Sequence, residues 1–158
     1  MRIVMKFGGT SVGNGTNFGR VAQIIESYVK KNDEVTVVVS AMAGVTDQLI
    51  EYAERCKKGN HGKECLQEFL QFLQKKHLEA AEESIKDKTI LKEVKQKLTE
   101  TLEELERVLI GISLLKELSL QAKDKVMSFG ERLSTPILWG AIKSLNIPTK
   151  MHGNIGGG

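Results

Sequence analysis

The segment Lys6-Phe7-Gly8-Gly9-Thr10-Ser11-Val12 carries more chemistry than any other in this chain. The apolar run Ile3 to Met5 leads into it, so the lysine falls at the end of a short strand. Glycines at such a point let backbone N–H groups approach an anion with no Cβ in the way. Lys6 adds a compact positive charge, and Thr10 and Ser11 add hydroxyl donors. The pattern is that of a phosphate site, and its spacing excludes two familiar ones. A Walker A loop places its lysine after the glycines, whereas here it precedes them. Gly13-Asn14-Gly15 opens a G-x-G, but no third glycine follows at dinucleotide-binding spacing. A lone G-G-T also makes tight turns. Beside a strand-end lysine, and before a helix whose N-terminus can face an anion, phosphate binding is the better reading.

Two further segments have site-like composition. Ser40-Ala41-Met42-Ala43-Gly44-Val45-Thr46-Asp47 follows a β-branched run, Val35 to Val39. Ligands in open α/β sheets bind at that carboxyl edge. Ser40 and Thr46 could donate hydrogen bonds to a carboxylate, or equally could cap a helix, which needs the same residue types. Ser128-Phe129-Gly130-Glu131-Arg132-Leu133-Ser134 places a glycine inside a helical pattern. That costs about 1 kcal/mol against alanine and points to close approach of a backbone or ligand. Glu131 and Arg132 are adjacent, so on a helix they do not face each other; one can point into a site while the other makes a structural pair.

The elements that must position these segments read as strand–loop–helix–strand–loop–helix over the first 56 residues. Arg2 to Phe7 is a strand and Gly8 to Thr16 a loop. Phe18 to Lys31 is a helix with Val21, Ile24, Ile25 and Tyr28 at helical period. The β-branched Val35 to Val39 suits a strand buried on both faces. Val45 to Cys56 resumes a helical pattern. This is the opening of an α/β fold with a parallel sheet. From about Cys65 to Lys116 the strand signal disappears. Leu66, Phe69, Leu70 and Leu73 form one stripe, and Leu98, Leu102, Leu105, Val108, Leu109 and Ile112 another, with polar Ser84 to Thr89 between. Two antiparallel helices inserted at about 62–118 are expected, with an opposite-sign, salt-bridged outer face. A last helix should start with Ser119 as N-cap and run towards Ser144, kinked or broken at Pro136. Gly153 to Gly158 is glycine-rich.

Composition narrows the function. The chain has 158 residues, 41% apolar, 5% aromatic and a formal net charge of +3. Cationic and anionic residues are interspersed, so no basic stripe argues for nucleic acid. No apolar run is long enough to span a membrane, and no secretory leader pattern is present. Cys56 and Cys65 match neither a zinc knuckle nor a C-x-x-C pair and read as reduced thiols in a cytoplasmic protein. His61, His77 and His152 show no metal-ligand spacing and read as surface histidines. No protein metal site is expected.

Taken together and in this order, the three segments closely resemble those of aspartate kinases, in the amino-acid kinase superfamily. The resemblance spans most of residues 2–145. It implies an α/β, partial amino-acid kinase fold: a parallel-sheet core with an inserted antiparallel helical pair. It also implies ATP-dependent phosphorylation of the side-chain carboxylate of L-aspartate to 4-phospho-L-aspartate. That is the first step towards lysine, threonine, methionine and isoleucine. By resemblance Lys6 contacts the transferred phosphates and is the catalytic residue, and Gly8, Gly9, Thr10 and Ser11 belong to the same ATP-binding loop. Thr46 and Glu131 are the aspartate-binding positions and Ser40 lines the same pocket, with Glu131 pairing with the substrate ammonium. No ligand role is carried to Arg132. The chemistry suits these residue types. A carboxylate nucleophile, with an ordinary pKa of about 3.9, is ionised at neutral pH, so no general base is required. What is required is cations and aligned N–H donors around the phosphoryl oxygens, with Mg²⁺ arriving on ATP.

The same resemblance implies a longer kinase domain. Its nucleotide-holding half, an arginine-bearing loop that clamps the substrate carboxylate, and the ACT regulatory domains have no counterpart in these residues. Residues 149–158 fit the family poorly. Little activity is therefore expected of the 158 residues alone, and a homo-oligomer or a complementing C-terminal half is the expected partner. A kinase acting on glutamate or N-acetylglutamate, or a non-catalytic assembling fragment, are the alternatives.

Overall fold

The computed structural model describes residues 1–59 and 62–152. The chain runs β1 (Arg2–Phe7), a 3₁₀ turn (Gly9–Val12), α1 (Gly15–Val29), β2 (Glu34–Val39), α2 (Val45–Lys57), α3 (Lys63–Ser84), α4 (Lys88–Leu115) and α5 (Leu120–Lys143). His61 and the Gly153–Gly158 run lie outside the described residues.

β1 and β2 pair in parallel, in register from Arg2↔Glu34 to Phe7↔Val39, with α1 as the crossover. The ladder continues one step beyond the strands, where the Ser40 N–H donates to the Phe7 carbonyl at 3.0 Å. Side chains alternate across the sheet. Ile3, Met5, Phe7, Val35, Val37 and Val39 face the helices, where α1 and α5 pack. Val4, Lys6, Thr36 and Val38 stand on the other face, and Val4 is 74% and Val38 47% exposed. The expectation of a strand buried on both faces is therefore corrected. Helices cover one face only among the described residues, so β-branching here serves strand propensity rather than double burial.

α1 begins three residues earlier than periodicity indicates, because Asn14 caps it by accepting from the Asn17 N–H at 2.9 Å. Phe18, Val21, Ala22 and Ile25 point inward, whereas Ile24 and Tyr28, expected on the apolar face, are exposed. Gly15 is buried against α3: a Cβ there would lie 2.8 Å from the Ala80 carbonyl oxygen. The Gly13-Asn14-Gly15 pattern thus records helix packing.

α3 and α4 form the expected antiparallel pair, joined through Asp87, whose carboxylate accepts from Thr89 and Ile90 N–H at 2.8 and 3.0 Å. Their apolar stripes pack on each other and on α1, α2 and α5. One member of the α3 stripe corrects the sequence reading: His77 is fully buried. Its Nδ1–H donates to the Leu73 carbonyl at 2.6 Å, while Nε2 has no partner. Burial lowers its pKa from 6.5 to about 4, so the ring is neutral at pH 7. His152 is exposed, as expected. Both cysteines are free thiols, and burial pushes Cys56 up to about 11, leaving it protonated and unreactive at neutral pH.

Ser119 caps α5, its hydroxyl accepting from the Ala122 N–H. The helix continues through Pro136 as one element, so of the kink or break expected there the break does not occur. Val126, Phe129, Leu133, Ile137, Leu138 and Ala141 are buried along its length. Burial on that scale outweighs the roughly 3 kcal/mol that an interior proline costs.

Candidate functional site

The loop Ser40–Gly44, at the carboxyl end of β2, is where the chemically informative segments meet. From the β1 side, a Cβ on Gly9 would lie 3.1 Å from the Ala41 carbonyl oxygen and 3.5 Å from the Ala43 Cα. From α5, a Cβ on Gly130 would lie 2.6 Å from the Ala41 Cβ and 3.6 Å from the Thr46 hydroxyl oxygen. The loop thus leaves no room for a Cβ at Gly130 without a shift, and only a tight fit for one at Gly9. Four residues along α5, Ser134 is fully buried and its hydroxyl donates to the Ser40 carbonyl at 2.6 Å. Replacing Ser134 with alanine should cost about 1 kcal/mol and leave the Ser40 carbonyl short of a donor. Urea unfolding of Ser134→Ala beside the parent chain measures this.

The loop ends at Gly44, which takes the left-handed conformation (φ +80°) and is the N-cap residue of α2. Glycine offers no side chain to the helix, and the turn is closed by the Val45 N–H donating to the Met42 carbonyl at 3.0 Å. The choice between capping and ligand binding for Ser40 and Thr46 is thereby narrowed: neither caps α2. Both are half-buried, and neither hydroxyl is hydrogen-bonded to another described residue.

The glycine loop itself is a short turn. Gly8 is extended, and Gly9–Val12 coil once, with the Ser11 N–H donating to the Gly8 carbonyl at 3.0 Å. Val12 is the buried anchor, and Asn17 ties the turn to α1 by donating to the Thr10 carbonyl at 3.2 Å. Gly8, Thr10 and Ser11 are exposed. Lys6 is exposed on the open face of the sheet beside Val38, with no carboxylate partner among the described residues.

Glu131 and Arg132 separate as adjacent helical residues must. Glu131 is exposed, whereas Arg132 turns to α4, where it pairs with Glu104 and lies 4.5 Å from the Phe129 ring. Lys125 joins the same carboxylate at 3.3 Å. The Arg132 hydrogen bond, aided by Lys125, holds the Glu104 carboxyl below its usual range against the opposing effect of burial. Arg132 is thus a structural tie between α4 and α5. Lys6, Gly8, Thr10, Ser11 and Glu131 are all exposed, and the contacts with the loop come from Gly9, Gly130 and Ser134. Sequence reasoning missed one contributor, Lys76 of α3, whose ammonium donates to the Ala43 carbonyl at 3.2 Å. No local signal marks it, since the contact joins residues 33 apart. Two surface grooves, between α2 and α3 (about 260 Å³) and between α4 and α5 (about 310 Å³), lie away from these residues.

At the carboxyl end of a two-stranded parallel sheet, a glycine turn, a hydroxyl-bearing loop and a close-packed helical glycine thus come together. The chain belongs to the amino acid kinase family, whose model matches residues 1–155. That match runs into residues 149–158, which the sequence reading left outside the resemblance. Relatives that it matches include aspartokinases. Aspartokinase 1, chloroplastic, of Arabidopsis thaliana is 31% identical over 149 residues, 94% of this chain and 25% of its own length. Aspartokinase 2, chloroplastic, of the same plant is 35% identical over 133 residues, 84% of this chain and 23% of its own. The chain therefore spans about a quarter of the length of these curated relatives. In fold it is similar to E. coli aspartokinase III in complex with aspartate and ADP. The TM-score is 0.76 at 24% identity, covering 93% of this chain and 30% of that one. The same enzyme in complex with lysine and aspartate gives a TM-score of 0.74 at 26% identity, covering 92% and 29%. Among the described residues no helix is long and apolar enough to cross a membrane.

Proposed function

We propose that this chain forms the amino-acid-facing and phosphate-facing wall of an aspartate kinase site, where ATP phosphorylates the side-chain carboxylate of L-aspartate to 4-phospho-L-aspartate. The observation that carries this reading is the convergence on one loop. Gly9, Gly130 and Ser134 each contact Ser40–Gly44, and the Ser40 and Thr46 hydroxyls stay uncommitted beside them. Residues 1–158 are proposed to act as this wall of an amino-acid kinase domain, with the helical pair at about 62–118 as its insertion.

The residue types fit the task. The aspartate carboxylate is its own nucleophile, so the protein has to orient it and offset the repulsion between two anions. Ser40 and Thr46 supply hydroxyl donors for the substrate, and Glu131 a free carboxylate for its ammonium. Lys6 supplies a cation, and Gly8 to Ser11 exposed turn backbone and hydroxyls, for the phosphates. ATP enters as its magnesium complex, so the metal arrives with the substrate. A complementing segment or a second copy of the chain would supply the remaining wall. In a cell this chemistry belongs to amino-acid biosynthesis, and a cytoplasmic location is proposed for it.

Calorimetric titration of the chain with L-aspartate and, separately, L-glutamate tests the reading. The expected result is saturable L-aspartate binding, weakened about tenfold or more by Glu131→Gln, a loss of about 1.4 kcal/mol. Binding of L-glutamate in preference would redirect the proposal to another carboxylate kinase. Binding of neither would remove it.

A further inference from the structure

The Ser40–Gly44 loop is held at both ends by different helices. At its start, Ser134 of α5 donates to the Ser40 carbonyl. Near its end, Lys76 of α3 donates to the Ala43 carbonyl at 3.2 Å. Ala43 lies against Gly9 and immediately precedes Gly44, the left-handed residue from which α2 departs. The position of the Ala43 carbonyl therefore sets where the first turn of α2, with Thr46, begins. Ordering a lysine side chain costs up to about 2 kcal/mol of rotamer entropy, so a half-buried lysine fixed on a neutral carbonyl needs a return for that cost. The bond leaves the charge itself uncompensated, because no carboxylate pairs with Lys76 among the described residues.

We infer that Lys76 is a positioning residue of the substrate site: it pins the Ala43 carbonyl, and through it the Gly44–Thr46 turn, and lends its unpaired charge to the sheet edge where two anions must meet. The inference rests on the aspartate kinase reading for the identity of those anions, but not for the loop it pins. It gives the α3–α4 insertion a role beyond covering the core, because α3 reaches the site through this side chain.

Backbone amide hydrogen exchange and calorimetric L-aspartate binding are measured on the parent chain, Lys76→Met and Lys76→Arg. In Lys76→Met, amides 43–46 should exchange about tenfold faster while those of α4 residues 98–109 stay unchanged. Aspartate affinity should fall about tenfold. Lys76→Arg, which keeps the charge and a donor, should restore both. Unchanged exchange at 43–46 in Lys76→Met would overturn the inference, as would acceleration throughout the chain that arginine does not reverse. If the parent chain binds no L-aspartate, the aspartate reading fails and the exchange data alone decide whether Lys76 positions the loop.

Discussion

Gly130→Ala is expected to lower L-aspartate affinity by about tenfold or more and to destabilise the chain by about 1–3 kcal/mol. Two effects of opposite sign compete. Alanine is the better helix former, and that alone would stabilise by about 1 kcal/mol. Against it, the new methyl group would sit 2.6 Å from the Ala41 Cβ. Carbon atoms in contact normally lie about 3.5–4.0 Å apart, roughly an ångström longer. The Ala41 methyl is carried directly on backbone and cannot rotate away, unlike the end of a long side chain. The backbone is itself held, by Gly9 from one side and Ser134 from the other. Either the loop or α5 must move, and the clash wins. Equilibrium urea unfolding reads the stability change and calorimetry the affinity. A stabilised variant with unchanged affinity would mean that the loop yields freely and that Gly130 answers to helix propensity alone.

The second large effect concerns acid. His77 is buried and neutral, with a pKa near 4 in the fold against 6.5 in the unfolded chain. A folded value below the unfolded one means that the unfolded chain takes up the proton first as pH falls. Stability is therefore unaffected by this group above about pH 7, declines through pH 6.5 to 4, and levels below that. The loss is on the order of 1 kcal/mol by pH 5.5 and on the order of 3 kcal/mol by pH 4. Glu104 adds to it in the same direction. Its carboxyl is held down by Arg132, so its contribution is present above the unfolded carboxylate value and disappears as pH falls through its folded one. His77→Leu, close in volume and unable to titrate, should match or exceed the parent at pH 7.5 and hold its stability to pH 5.5, where only the parent declines. Denaturant midpoints at the two pH values check this. Parallel pH profiles would show that the protonated Nε2–H finds a hydrogen-bond acceptor on acidification.

The features legible in the sequence are those set by near neighbours. Ser119 is a cap because its hydroxyl reaches an N–H three residues on, and that reach is written in local order. The strands are marked by β-branching and the α3–α4 pair by apolar stripes. His77 was also within reach of this logic. It stands four residues after Leu73 and three before Ala80, on the same stripe as Leu66 and Leu70, and all of these are buried. Its polar character and the two lysines before it masked the spacing. That α5 does not break at Pro136 is hidden from the sequence for a different reason. The proline penalty is local, but the opposing burial of Leu133, Ile137 and Leu138 comes from partners far along the chain. The same limit hid the Arg132–Glu104 and Lys76–Ala43 contacts. For the candidate site, the segments were legible and their meeting point was not, since a loop between Ser40 and Gly44 says nothing locally about Gly9, Lys76 or Ser134.

The Ser134–Ser40 hydrogen bond spans 94 residues. Chain connectivity makes such a contact among the last to form, because its loop-closure entropy is recovered only after the intervening helices have docked. The α3–α4 hairpin can coil and pair through short-range contacts. The Ser40–Gly44 backbone can be fixed by β1 and α3 before α5 arrives, but its Ser40 carbonyl gains the Ser134 donor only when α5 docks. The Ser40–Gly44 loop therefore leaves the ribosome well before the helix that completes its support, and the docking of α5 and the final ordering of the loop are one kinetic event.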